Sequence, residues 1–174
     1  YAIQVFMPTV VVQMGFSLTS AFLITAIIVG ASIPGKFLES WLVEVWGRKP
    51  VIISFTAIAV VCAFIFGFLE SLVPVIIVGV IMSFFGIGAN PAVKVYVAEN
   101  YPTRVRATGV ATTEAAGRLI AGVIAPAYFP FLLLMDGGVV AAYSFVGAMG
   151  LVGVLAVAVL GTETKGRLLE EISQ

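Results

Sequence analysis

Two charged residues inside a long apolar segment constrain this chain more than any other feature of its sequence. Lys36 and Glu39 lie in the run that extends from about residue 20 to the basic turn at 46–50, and that run is long enough to cross a bilayer. A charge that faces lipid is costly, so such residues border protein or a water-filled cavity. The sequence therefore predicts a membrane helix with one face turned towards a polar interior.

The rest of the chain has the composition of a membrane protein. Of its 174 residues, 61% are hydrophobic and 10% are charged, and the mean hydropathy is +1.15, whereas soluble domains carry about 25% charged residues. The formal net charge is zero, which argues against a nucleic-acid-binding surface. Histidine is absent and Cys62 is the single cysteine, so we expect no metal site, no cofactor and no enzymatic nucleophile–base pair.

Six apolar segments are expected to cross the membrane. The chain begins at Tyr1, within an apolar run. We therefore expect the first span to be truncated and the chain to be a piece of a longer protein. We expect Asn90-Pro91 to interrupt the fourth span, because proline cannot donate the helical hydrogen bond and clashes with the preceding turn. The predicted spans are 1–14, 20–46, 51–69, 73–97, 109–134 and 139–160, followed by a polar tail at 161–174.

Basic residues occur only in alternate connections between the spans. The opposite turns contain no Lys or Arg. By the positive-inside rule, segments 47–50 and 98–108 and the C-terminus are therefore cytoplasmic, in an integral protein of the plasma (inner) membrane. The basic residues concerned are Arg48, Lys49, Arg104, Arg106, Lys165 and Arg167.

Charge also divides the spans into two kinds. The third and sixth spans contain no charged residue, so we expect them to form an outer layer that faces lipid. The second contains Lys36 and Glu39, the fifth contains Glu114 and Arg118, and the fourth contains Asn90 and, near its inner end, Lys94. The pattern predicts an inner group of helices that line a polar cavity.

The two membrane cations lie at matching depths. Lys36 and Arg118 are each 12 residues from an arginine at the membrane edge, which places both roughly 18 Å from it, near the bilayer middle. Lys36 and Glu39 are spaced i,i+3, while Glu114 and Arg118 are spaced i,i+4, so each pair shares a helix face. Two hypotheses fit this pattern: a substrate and proton site in a central cavity, or a salt-bridged network that locks two helices together.

Three segments resemble motifs of the C-terminal half of the major facilitator superfamily. Residues 34–50 resemble the signature that follows the eighth helix, residues 98–109 the loop between the tenth and eleventh, and residues 163–172 the tail after the twelfth. The resemblance implies half of a twelve-helix, all-α membrane fold. That half is a six-helix bundle built as a 3+3 inverted repeat, and its partner is an N-terminal six-helix half in the same or a separate chain.

The charges of these motifs indicate a cytoplasmic gate. Glu99 can form charge-assisted bonds with Arg104 or Arg106, and Glu44 and Arg48 can join them across the loop ends. The alternative is that these charges only set the topology. Val45 stands where the family has an arginine. The predicted gate residues are Glu44, Arg48, Lys49, Glu99, Arg104 and Arg106.

The resemblance extends to one branch of the superfamily. Residues 117–126 are similar to organic-ion and metabolite:proton symporters, and the fourth span lacks the sugar-porter pattern that ends in tryptophan. Anion carriers of this branch place a lysine after the eighth-helix proline and an arginine in the eleventh helix, and Lys36 and Arg118 match those positions. The resemblance implies proton-coupled secondary transport of a small organic anion by alternating access. An aromatic or heteroaromatic carboxylate of benzoate or nicotinate type is the expected substrate.

These expectations assign roles to five residues. Lys36, Arg118 and Asn90 would bind the substrate, and Glu39 or Glu114 would carry the coupling proton, since a carboxylate in a low-dielectric cavity can exchange a proton in the working range. The expected partners are the lipid bilayer, the N-terminal half, the substrate and protons. Two alternatives remain open: a symporter of sugar or another neutral solute, and a non-transporting six-helix membrane subunit.

Overall fold

The polypeptide is helical throughout the part of the chain that the structure describes. This computed structural model covers residues 2–135 and 137–165, whereas Tyr1, Asp136 and residues 166–174 lie outside the described residues. The predicted tail is therefore described only as far as Lys165, and Arg167 falls outside. The α-helices are α1 (Ala2–Gln13), α2 (Leu18–Gly30), α3 (Ser32–Trp46), α4 (Arg48–Phe66), α5 (Leu72–Gly86), α6 (Asn90–Glu99), α7 (Arg106–Leu119), α8 (Ala125–Leu133) and α9 (Gly138–Leu160), and a π-helical turn (Ile120–Ile124) joins α7 to α8.

Five stretches of the described residues are long and apolar enough to cross a membrane. They are Leu18–Trp46, Arg48–Phe66, Leu72–Glu99, Arg106–Leu133 and Gly138–Leu160. The helix α1, with 12 residues, is shorter than a bilayer requires, and it packs against α2. The chain therefore has the all-α membrane architecture that its sequence predicts.

Two of these spans are broken, each next to a proline. The helix α5 ends at Gly86 and α6 begins at Asn90, which confirms the predicted interruption at Asn90-Pro91. The predicted span 20–46 is continuous, but the structure divides it at Ala31, just before Pro34. Proline fits the first turn of a helix but has no N–H with which to continue the preceding one, so each proline starts a new helix.

The span that carries Glu114 and Arg118 changes its helical geometry near the middle. The π-helical turn Ile120–Ile124 begins two residues after Arg118 and leads into α8, whose second residue is Pro126. Pro126 removes a backbone donor and crowds the carbonyl one turn earlier, and a wider turn relieves that clash. Turns of this kind are frequent at functional sites.

The basic residues that the sequence assigns to the cytoplasmic connections lie within the first turns of helices or in the segments beside them, as far as the structure describes them. Both α4 and α7 begin three residues before the predicted spans 51–69 and 109–134. Hydropathy marks where a helix enters the apolar layer, whereas backbone hydrogen bonding lets the helix begin earlier, in polar surroundings. The residues Arg48, Lys49, Arg104, Arg106 and Lys165 lie at one end of the bundle, which we call the basic end.

The charge-free third span occupies the middle of the described bundle. The helix α4 packs along α9 and α5 and also contacts α3 and α6, and it is the most buried of the five spans. Both charge-free helices keep exposed apolar side chains, among them Val61 and Ile65 of α4 and Leu155 and Val159 of α9, so the outer position stays a prediction for each. An uncharged helix packs equally well against lipid and protein, so the absence of charge does not decide its neighbours. The most exposed span is the one that carries Glu114 and Arg118.

Two apolar clusters hold the helices together. The larger cluster joins α1, α2, α4, α5, α8 and α9 around Phe66 and Tyr143, whose ring centroids lie 4.3 Å apart. The smaller cluster lies towards the basic end and fixes α3, α4 and α6 against one another. It consists of Val43, Val51, Ile52, Phe55, Ala89 and Ala92. These contacts position the polar residues described next.

Candidate functional site

A pocket of about 690 Å³ opens between α3, α6 and α7. The structure brings together in it four residues that the sequence placed in a cavity: Lys36, Asn90, Glu114 and Arg118. Its volume suits a small organic molecule. Valines, isoleucine, alanine and glycine supply the apolar lining, and the full polar lining is Lys36, Asn90, Lys94, Thr113, Glu114 and Arg118.

Glu114 is the residue to which two of the pocket's cations, Lys94 and Arg118, bind. Its Oε1 accepts a 2.8 Å hydrogen bond from Arg118 Nη2, on the next turn of α7, and lies 3.4 Å from Lys94 Nζ of α6. One carboxylate oxygen is therefore shared by cations from two helices. The three side chains are between 39% and 62% exposed in this chain. The three side chains open into the pocket, where water or a bound molecule can compete for the same charges.

The charges of the pocket suit an anion. Lys36, Lys94 and Arg118 contribute three cations from three helices against the single acid Glu114. The planar guanidinium of Arg118 can bind both oxygens of a carboxylate, and the lysines add point charges. Among the described residues, no group of three or more His, Cys, Asp or Glu side chains could hold a metal ion.

Asn90 contributes the amide of the pocket. It is the first residue of α6, and its Nδ2 donates a 3.3 Å hydrogen bond to the Ile87 carbonyl in the link from α5. Its side chain is exposed to the pocket. The break between α5 and α6 thus presents a side-chain amide to any bound molecule.

Glu39 lies outside the pocket lining, one turn along α3 from Lys36. Its side chain is fully buried, and its Oε1 accepts a 2.6 Å hydrogen bond from the backbone N–H of Ala92 in α6. The i,i+3 spacing places Glu39 and Lys36 on the same side of α3. However, α6 covers Glu39 and leaves Lys36 exposed. The two predicted proton carriers, Glu39 and Glu114, therefore have different surroundings.

Lys94 is a pocket residue to which the sequence analysis assigned no role. It lies four residues after Asn90, and this i,i+4 spacing places both side chains on one face of α6. The same spacing is the signal that could have assigned it to the pocket. Thr113 was also missed; its hydroxyl donates to the Gly109 carbonyl at 2.9 Å, as expected of a threonine in a helix.

A second group of ionic contacts lies at the basic end. Arg48 Nε and Nη2 approach Glu99 Oε1 at 3.2 Å and 3.1 Å, and Nη2 lies 3.5 Å from Glu44. The Arg48 and Glu99 side chains are only 15% and 21% exposed. The start of α4 is thus bonded to the end of α6 through two of the predicted gate residues, in a contact shielded from water.

Glu163 caps α4 from the far end of the chain. Its carboxylate accepts hydrogen bonds from the backbone N–H groups of Arg48 at 3.0 Å and Lys49 at 3.1 Å, donors that the helix itself leaves unsatisfied. Burial opposes the charge on Glu163, but the backbone N–H groups of Lys165, Arg48, Lys49 and Thr164 outweigh it and lower the pKa of the carboxyl. The sequence reasoning did not identify this cap.

Further hydrogen bonds attach residues 161–165 to the basic end. Gly47 has φ +104°, and a side chain at that position would collide with the Glu163 carboxylate, so the glycine leaves room for the tail. The bonds are Thr164 Oγ1 to Glu99 Oε2, Lys49 Nζ to Gly161 O at 2.8 Å, and Lys165 Nζ to Val45 O at 2.7 Å. The tail therefore covers the Arg48–Glu99 contact.

The two other predicted gate arginines are placed differently. Arg106 Nε donates to the Tyr101 carbonyl at 3.3 Å, within its own connection, and Arg104 is exposed there. Within the predicted set of Glu44, Arg48 and Glu99 with Arg104 or Arg106, the described contacts of Arg48 are with Glu44 and Glu99, while Arg106 bonds to Tyr101. The reason is that α6 packs against α4, which brings the start of α4 to Glu99.

Comparison with known proteins gives one family. Residues 1–174 match the family model described as Sugar (and other) transporter. The chain is 30% identical over 172 residues to the niacin transporter NiaP of Acinetobacter baylyi, covering 99% of this chain and 39% of that protein.

Two further relatives are bacterial. The chain is 33% identical over 170 residues to the putative niacin/nicotinamide transporter NiaP of Bacillus subtilis, covering 98% of this chain and 42% of that protein. It is 30% identical over 175 residues to the inner membrane metabolite transport protein YdjE of Escherichia coli, covering 100% and 38%. The chain thus spans about two fifths of the length of these relatives.

Proposed function

We propose that this chain, which belongs to the Sugar (and other) transporter family of the major facilitator superfamily, forms the anion-binding half of a secondary active transporter. The chain is an integral membrane polypeptide, and its relatives are transporters rather than enzymes. The observation that carries the proposal is the convergence of Lys36, Lys94 and Arg118 on a pocket with one acid, Glu114. Cations within a membrane span are costly unless a charge of opposite sign offsets them.

The proposed substrate is a small aromatic or heteroaromatic carboxylate. Arg118 would bind both carboxylate oxygens through its planar fork, with Lys36 and Asn90 approaching from α3 and α6. Valine and isoleucine side chains in the same lining would contact the ring. The names of two relatives support this class, because niacin is itself an aromatic ring that bears a carboxylate.

Transport would proceed by alternating access around this pocket. In carriers of this architecture, two six-helix halves rock about a site near the bilayer midplane. An N-terminal half, in the same or a separate chain, would close the pocket along α7, which contains no buried residue in the part of the chain described. The basic end would face the cytoplasm from the plasma (inner) membrane, as the positive-inside rule requires.

Glu39 and Glu114 are the two candidates for the coupling proton, and the pocket favours Glu114. Its bond to Arg118 occupies the group that would bind the substrate. A proton on Glu114 would weaken that bond and release Arg118, which would couple proton binding to anion binding. Glu39 lies behind α6, where a proton has no such direct effect on the substrate.

The contacts at the basic end would form the inner gate. Arg48 and Glu99 join α4 to α6, while Glu44 and Lys49 add contacts at the same level. Opening towards the cytoplasm would require the two halves to separate here, and the bonds to the tail at Glu163 would have to adjust with them. Arg104 and Arg106 lie in the neighbouring connection and would attract the anion as it leaves.

Removal of Arg118 from the full-length carrier tests the proposal. Arg118→Ala should abolish saturable uptake of radiolabelled nicotinate and benzoate into proteoliposomes, because the pocket loses its bidentate carboxylate donor. Arg118→Lys keeps the charge without the fork and should give an intermediate rate. Size-exclusion profiles of both variants would establish that they fold. Uptake of acids at the wild-type rate by Arg118→Ala would contradict the anion assignment.

A symporter of a neutral solute is the second candidate, because the matching family is described as one of sugar and other transporters. The same proteoliposomes can be supplied with labelled sugars in place of acids. Proton-driven uptake of sugars without uptake of acids would favour this candidate. Failure to accumulate either class in a folded, reconstituted carrier would favour the non-transporting subunit.

A further inference from the structure

Glu39 is the only fully buried carboxylate in the part of the chain that the structure describes. It lies in the buried stripe of α3, together with Ser32, Gly35 and Val43, where that helix packs against α5 and α6. A buried carboxylate is costly unless hydrogen bonds compensate it. The residue therefore needs an explanation that the pocket does not supply.

The hydrogen bonds at the start of α6 supply one. An α-helix leaves its first backbone N–H groups without internal partners. In α6, the N–H groups of Asn90 and Val93 donate to carbonyls of the link that precedes the helix, and Pro91 has no N–H. The donor that remains in this first turn is the N–H of Ala92, and Glu39 Oε1 accepts it at 2.6 Å. The carboxylate thus completes the start of a helix to which it does not belong.

Close backbone contact lets the short carboxylate arm reach that donor. A side-chain carbon placed on Gly35 of α3 would collide with the Phe84 carbonyl oxygen of α5, and one placed on Gly88, in the link between α5 and α6, would lie 3.3 Å from the Gly35 carbonyl carbon. The two glycines therefore allow α3 and the broken helix to touch. Glu39 lies one turn after Gly35, and Ala92 lies one turn after Gly88, so the hydrogen bond joins adjacent points on the same crossing.

The hydrogen bond joins two helices that each bear charges of the pocket. Lys36 lies three residues before Glu39 on α3, while Asn90 and Lys94 lie two residues before and two after Ala92 on α6. The position of α6 relative to α3 therefore sets the separation of these groups across the pocket. A small displacement of binding groups is enough to weaken binding severely.

We infer that Glu39 is a positioning residue: it holds the start of α6 against α3, so that Asn90 and Lys94 face Lys36 at the separation that the anion requires. For its transport readout this inference depends on the function proposed above. It assigns Glu39 a role distinct from proton transfer and leaves Glu114 as the carrier of the coupling proton.

Two conservative substitutions in the full-length carrier separate positioning from proton transfer. Glu39→Gln keeps an acceptor oxygen at the same reach but cannot exchange a proton. Glu39→Asp keeps the proton site but shortens the arm, so the oxygen withdraws from the Ala92 N–H. Glu70→Gln makes the same carboxylate-to-amide change in an exposed turn outside the pocket and the basic end, and it serves as the control.

The uptake kinetics of radiolabelled nicotinate should then differ in a defined way. We expect Glu39→Asp to raise the KM at least about tenfold with a smaller change in kcat, whereas Glu39→Gln stays within about threefold and still accumulates the acid against a gradient. The opposite result would be that the Glu39→Asp carrier accumulates nicotinate normally, whereas the Glu39→Gln carrier only exchanges nicotinate across the membrane without accumulating it. That result would make Glu39 the proton carrier and overturn the inference. Equal kinetics for both variants and the wild type would also overturn it.

A distance measurement tests the inference without any substrate. Nitroxide labels on Trp41→Cys of α3 and Val95→Cys of α6, in a Cys62→Ala background, report how the two helices lie; both labelled positions are exposed in this chain. Glu39→Asp should broaden the distance distribution, while Glu39→Gln and Glu70→Gln should leave it unchanged. An unaltered distribution in Glu39→Asp would refute the positioning role, even if the carrier transports a different substrate from the one proposed.

Discussion

The pocket and the basic end are built from the same kinds of residue but differ in how tightly those residues are held. In the pocket, one oxygen of Glu114 serves two cations, and all three side chains are well exposed. At the basic end, Arg48 and Glu99 are mostly buried, and backbone and tail groups add further bonds to the same two residues. The first arrangement can exchange partners at low cost, whereas the second resists change.

The difference follows from burial and from the number of bonds per charge. An exposed ion pair contributes little to the stability of the fold, because water competes for both charges. A buried ion pair is costly to disrupt when the other carboxylate oxygen also accepts a hydrogen bond. The same kinds of residue therefore suit a binding site in the pocket. At the basic end they suit a contact that holds a gate in its closed state. Removal of single charges from each region should give effects of very different size.

The largest expected effect is the loss of Glu99. Glu99→Ala removes the partner of Arg48 and the acceptor of Thr164 in one step, and it leaves a shielded arginine without its main counter-charge. We expect the full-length carrier to lose about 2 kcal/mol of stability. Thermal unfolding of the detergent-solubilised carrier, followed by tryptophan fluorescence, measures the change.

Glu114→Ala is the matched control in the pocket. It also removes a carboxylate that binds two cations, but these side chains are open to solvent. The unfolding midpoint should hardly change. If Glu114→Ala destabilises the carrier as much as Glu99→Ala does, the pocket is a structural lock and the contrast between the regions fails.

A smaller effect is expected from Lys94, and it appears in transport rather than in stability. Lys94→Gln removes one of the two cations that share Glu114, so Glu114 binds Arg118 more tightly and competes with the substrate for it. We expect the KM for nicotinate to rise about tenfold, the usual effect of one charged hydrogen bond. Initial rates of uptake into proteoliposomes, over a range of substrate concentrations, test this.

A double-mutant cycle sharpens the test. In Lys94→Gln combined with Glu114→Gln, Glu114 no longer competes with the substrate for Arg118, so a large part of the lost affinity for the acid should return. Exchange of labelled nicotinate at equal concentrations on both sides measures affinity without a proton gradient. Additive losses in the double variant would show that Lys94 acts on the substrate independently of Glu114.

Much of the pocket could be predicted because charge within a membrane is rare. Lys36, Glu114 and Arg118 are conspicuous in apolar runs, and i,i+4 spacing joins the last two on one face. Lys94 was visible as a charge near the inner end of its span, but the sequence does not show that α7 brings Glu114 to it. The position of a charge in the sequence shows how deep it lies along its own helix. It does not show which other helix lies opposite that charge.

The features that could not be predicted depend on contacts between distant parts of the chain. Glu39 shares a side of α3 with Lys36, yet only the approach of α6, 53 residues away, determines that it caps Ala92. Likewise, Glu163 bonds to Arg48, 115 residues earlier, and no local pattern signals that cap. Helix period and hydropathy are local properties, whereas these bonds arise from tertiary packing.

The smallest expected effect concerns this tail cap and its dependence on pH. Because the pKa of Glu163 is lowered from its ordinary value of 4.5, its ionised form stabilises the folded carrier above that value, and the contribution is lost as pH falls through the lowered pKa. Glu163→Gln should therefore reduce stability by less than about 1 kcal/mol near neutral pH, since the group is partly exposed. The unfolding midpoints of the two proteins should converge once the carboxyl is protonated. A difference that stays constant as the pH is lowered past this range would mean that the charge of Glu163 does not contribute, and that its shape alone attaches the tail to the basic end.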